Sequence, residues 1–154
     1  MEKYRPWILE LVWFIATFIL VILVILPIRS EIFGFPHEKA NIFFIIVFTT
    51  LIRWLLFLKN TPFSKIQLIK VFIGLGAVWM ALYSLRQFGL FQNFIDEKGI
   101  ESLTLHLPEA RQIALQKYII SEFIFFSIGT IMVCIMMPIR MLISIWRTHN
   151  LKQV

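Results

Sequence analysis

Four stretches of this chain, residues 7–28, 40–58, 66–85 and 118–139, are apolar for about as long as a helix needs to cross a lipid bilayer. A hydrocarbon core about 30 Å thick takes about 20 apolar residues in helical form. No stretch shows the strict polar–apolar alternation of a barrel strand. Only helices then satisfy the backbone N–H and C=O groups inside lipid. The expected fold is all-α: a polytopic membrane protein, with residues 1–154 forming one domain around a four-transmembrane-helix bundle. Composition points the same way, with 59% of the 154 residues hydrophobic and 16% charged, against roughly 25% charged in soluble domains. A soluble globule this small has too little interior to hide such a surface. A disordered chain is excluded by the same apolar excess, and a disulfide scaffold by the single cysteine, Cys134.

The first apolar run follows Lys3 and Arg5, as a secretory leader would. It is too long for a leader's apolar core and no small-x-small cleavage site follows it, so it reads as a retained helix. Pro27 and Arg29 close that run, and Pro138 and Arg140 close the fourth. Residues 29–39 and 59–65 read as tight polar turns. Residues 86–117 read as a long outer loop, with 103–107 extended at its centre and a helix starting after Pro108. Residues 140–154 read as an amphipathic cytoplasmic tail on the membrane surface.

Lysines and arginines near the span ends set orientation. One side carries Lys3, Arg5, Arg53, Lys59, Lys65, Lys70, Arg140, Arg147 and Lys152, and the other Arg29, Lys39, Arg86, Lys98, Arg111 and Lys117. Nine against six places both termini in the cytoplasm and the 86–117 segment outside, in what reads as a bacterial inner membrane.

Charges within apolar spans are costly and need a reason. Glu10 lies about a turn inside the first span, and Arg53 near the same end of the second. Antiparallel neighbours bring them to one depth, with Thr17 and Thr49 on the same faces. An ion pair pinning two helices is the first reading; a polar path for a proton or substrate is the second. Glu122 lies a turn into the fourth span, level with Arg86 and Arg29, and pairing with Arg86 or Arg29 is expected. Gly74, Ala77, Ala81 and Ser84 recur at i, i+3, i+7 and i+10, a small-residue face that lets another backbone come close. Ser127, Thr130 and Cys134 repeat the device on the fourth span.

The remaining signals narrow the function. His37, His106 and His149 all fall outside the spans, which argues against haem held within the bundle. One cysteine excludes paired-thiol chemistry. No HExxH, GxSxG or Walker sequence occurs, and no aspartate cluster offers a metal site. The net charge of +6 is distributed along span ends rather than in one patch, so nucleic acid is not an expected partner. The chain therefore reads as a non-enzyme without cofactor or metal. The expected role is an accessory, assembly or scaffolding subunit of a larger membrane complex. Its partners are then the lipid bilayer and other membrane proteins, or copies of itself. The alternative is a small oligomeric transporter or channel using Glu10 and Arg53.

Overall fold

The computed structural model describes residues 5–62 and 66–150, apart from the side chains of Arg5 and Thr148. Lys3, Lys65 and Lys152 in the orientation count lie outside the described residues, as do both ends of the 1–154 domain. The architecture is an all-α bundle of four helices: α1 (Arg5–Glu31), α2 (Glu38–Phe57), α3 (Gln67–Lys98) and α4 (Glu109–Asn150). All four are long and apolar enough to cross a membrane. A single 3-10 turn, Leu58–Asn60, follows α2, and another, Ile100–Leu103, follows α3.

Two sequence expectations change here. Residues 86–117 are not a long loop. No proline or glycine-rich break separates Arg86 from Gly99 apart from Gly89, so α3 continues unbroken through the polar segment to Lys98. Gly99 stops it: its φ of +69° is a left-handed conformation that suits glycine, and its N–H bonds back to the Ile95 carbonyl at 3.0 Å. Residues 103–107 are not extended either. Thr104 and Leu107 donate backbone bonds to Glu101 and Thr104, both at 2.9 Å, so the connection is a chain of tight turns. Its polarity and alternation imitate a strand, but ten residues between two helix ends leave no partner strand. Pro108 then precedes the first turn of α4, with Glu109 the acid in that turn.

The helix ends also run past the prolines. Pro27 lies inside the last turns of α1 and Pro138 inside α4. At 1.5 Å per residue, the 32 residues of α3 and 42 of α4 extend about 48 Å and about 63 Å. Both exceed the thickness of a hydrocarbon core, so polar ends project beyond the apolar middle.

α4 is the hub. It packs most broadly on α3, then on α2, and only narrowly on α1, which leans mainly on α2. Parallel α2 and α4 keep a nearly constant register, marked by Asn41 on Glu122, Phe48 on Gly129 and Leu55 on Arg140. Gly129 permits that approach: a Cβ there would sit 2.7 Å from the Phe48 ring. One core cluster gathers Ile28, Phe44, Phe91, Ile119 and Phe123 near the α1–α2 turn. The other gathers Leu51, Ala77, Ala81, Cys134 and Met137 toward the opposite end.

Candidate functional site

Two clusters of buried polar residues tie α2 to its neighbours. The first joins α1 to α2. Arg53 donates from Nη1 to Glu10 Oε2 at 2.6 Å, and both side chains are 8% exposed. Trp54 adds its indole N–H to the same oxygen at 3.4 Å. The Trp13 ring lies 5.5 Å from the guanidinium centre, within cation–π range. Trp13 in turn donates to the Thr49 carbonyl at 3.1 Å. The charge pair is therefore enclosed by two indoles, each tied to a fixed acceptor.

The hydroxyls do not extend this pair into a path. Thr49 turns its hydroxyl back on its own helix and donates to the Ile45 carbonyl at 2.7 Å. Thr17 is buried on α1 and its hydroxyl has no hydrogen-bond partner, as is also true of Glu10 Oε1. The arrangement is a clasp between two helices rather than a continuous track.

The second cluster corrects the expected Glu122–Arg86 pair. Glu122 is buried on α4 and accepts a hydrogen bond on Oε1 from the Asn41 amide of α2. Arg86 and Arg29 are exposed. Helical geometry explains the miss. Ser84 faces α4, and two further residues rotate Arg86 by about 200°, to the other side of α3. Asn41 did carry a signal: it is a lone amide at the start of an apolar run, one turn after His37. Among the described residues, ion pairs occur only at Glu10–Arg53 and at the exposed Glu31–Arg111 contact of 3.4 Å.

His37 sits beside this cluster. Its ring meets Phe35, Phe91, Phe94 and Phe123 edge-on, at centroid distances of 6.0, 5.4, 5.3 and 6.1 Å. Burial among these rings holds its pKa below the ordinary imidazole value. Phe91 stacks on Phe123 at 3.8 Å, closing the floor of the box.

The small-residue face lies where α3 meets α4. Gly74, Ala77, Ala81 and Ser84 are all buried. A Cβ on Gly74 would stand 3.7 Å from the Pro138 backbone and 3.8 Å from Met141 Cβ. Ala77 and Ala81 pack with Val133, Cys134 and Met137. Ser127, Thr130 and Cys134 are fully covered, and Thr130 reaches across to the Phe44 carbonyl of α2 at 3.0 Å. Small side chains on one helix and short polar ones on the other allow the broadest contact in the bundle.

At the α4 start, three groups tie α4 and its approach to the end of α1. Tyr118 donates to the Val24 carbonyl at 2.9 Å, a His106 ring nitrogen lies 2.8 Å from the Glu31 carbonyl, and Arg111 meets the Glu31 carboxylate. Among the described residues, no three of His, Cys, Asp or Glu come together as a metal-holding group. Comparison with protein-family models, curated proteins and solved structures finds no match.

Proposed function

We propose that this chain crosses the membrane four times as a single domain and serves as a non-catalytic accessory, assembly or scaffolding subunit of a larger membrane complex. The reading places it in a bacterial inner membrane with both termini in the cytoplasm, following the lysine and arginine bias. The observation that carries it is the outward face of α3. Leu68, Phe72, Leu75, Trp79 and Leu82 repeat at alternating intervals of four and three residues, and each is at least 60% exposed. That spacing lays a seam of five large apolar side chains along one face of α3, a surface that lipid or a second helix must cover. The same helix uses its small-residue face on α4, so its two sides differ in kind.

A transport path through Glu10 and Arg53 has less support. The pair is closed and flanked by Trp13 and Trp54, and the Thr49 hydroxyl is turned back on its own helix. Extraction from native membranes in a mild detergent, followed by mass spectrometry and sizing, tests the reading. A stoichiometric co-purifying membrane protein is expected. A homogeneous assembly of this chain alone contradicts it and favours the transporter.

A further inference from the structure

Asn41 donates its amide N–H to Glu122 Oε1, which leaves Glu122 Oε2 and Asn41 Oδ1 buried and without partners. With Glu122 ionised, both orphaned atoms are oxygens that can only accept. Two unpaired acceptors and one negative charge would then sit between α2 and α4, a costly arrangement away from water. One proton resolves all three problems. Placed on Oε2, it would make an O–H able to donate to Oδ1 while the amide N–H donates to Oε1, the head-to-head pairing of an acid with an amide. Exchanging the amide oxygen and nitrogen leaves the count unchanged, because the pair is still short of one donor.

We propose that Glu122 and Asn41 form a proton-binding site inside the bundle, occupied at neutral pH, with Glu122 held as a neutral carboxylic acid. The groups facing it supply no counter-charge. From α2, His37 packs among phenyl rings, and its partial burial there disfavours the charged imidazole. Glu38, on the same turn, is an acid. From α4, Tyr118 is one turn away and gives its hydroxyl to Val24. α3 offers Phe91, stacked on Phe123, and α1 offers Ile25 and Ile28 to the same cluster. The Arg53 guanidinium is bound to Glu10 in the other cluster. Loss of the proton would leave a charge and two unmatched acceptors in the α2–α4 contact, so the site acts as a latch that ionisation releases. This goes beyond the subunit reading and does not depend on it.

Infrared spectroscopy of the full chain in lipid nanodiscs at pH 7 tests the site. The wild type should show the carbonyl stretch of a protonated carboxylic acid. The band should move when the glutamates carry a carbon-13 label, vanish in Glu122→Gln and persist in Glu10→Gln. Glu122→Gln should also keep the wild-type melting temperature, because a second amide is neutral and can pair with Asn41 in the same way. A wild-type spectrum with no glutamate-labelled acid band at pH 7 overturns the proposal whether or not any variant folds. Suppression of the band by sodium at fixed pH also overturns it, since the site would then bind a metal cation in place of the proton.

Discussion

Removing either partner of the Glu10–Arg53 clasp should destabilise the bundle more than removing both. Glu10→Gln leaves the Arg53 guanidinium buried opposite a neutral amide. Arg53→Gln leaves the Glu10 carboxylate with Trp54 as its remaining donor. Both side chains are 8% exposed and 2.6 Å apart, so little water is present to replace the lost partner. Two charges about 4 Å apart at an effective dielectric near 20 interact with about 4 kcal/mol. Breaking one side of a buried pair typically costs about 3–5 kcal/mol, because it leaves an uncompensated buried charge, and replacing both sides removes that charge. Each single variant should therefore lose about 3 kcal/mol or more, and the double variant should recover at least half of the summed loss. The assay is a double-mutant cycle on unfolding in mild detergent, followed by the fluorescence of the five tryptophans, two of which, Trp13 and Trp54, flank the pair. Losses below about 0.5 kcal/mol for both singles, adding without coupling in the double, would refute the clasp and mean that both charges reach water.

Gly129→Ala should cost about 1–3 kcal/mol through its clash with Phe48, whereas Gly76→Ala, which meets nothing within 4 Å, should cost nothing; thermal unfolding of the two variants compares them. Ala81→Leu should lose a similar amount by forcing α3 off α4, read as a lowered melting temperature, while Ala114→Leu at an exposed position near the α4 start should not. His37 has a folded pKa below its unfolded value, so its contribution is full above the ordinary value of 6.5 and is lost as pH falls below it. Acid destabilisation in that window should be weaker in His37→Phe, measured by unfolding at a series of pH values. In intact cells, an impermeant thiol reagent should label Ser102→Cys and spare His149→Cys; the reverse pattern overturns the proposed orientation.

The helix count and the rough positions of the apolar cores were legible because the length of a membrane crossing leaves few alternatives. Helix ends were less legible. Span length reports where apolarity stops, and α3 and α4 both continue as helix into polar sequence, to Lys98 and from Glu109. The Glu10–Arg53 contact was legible from depth, since both residues lie within about a turn and a half of the span ends that antiparallel neighbours bring to one side. Glu122 needed rotation as well as depth, and depth alone selects Arg86 over the Asn41 that faces it. Lys70 shows the same limit. It counts as a flanking cation by position, yet the fold leaves it 1% exposed in the first turns of α3. The small-residue face was readable because i, i+3, i+7 and i+10 already encode rotation.

The subunit reading is tested most directly by photo-crosslinking from α3 in native membranes. A benzophenone amino acid placed at Phe72 or Trp79, on the exposed seam, should give one defined product with a different membrane protein, and the same probe at Gln92, beyond the seam, should give none. Products containing only this chain, at every position, would contradict the account and identify the seam as a contact between copies.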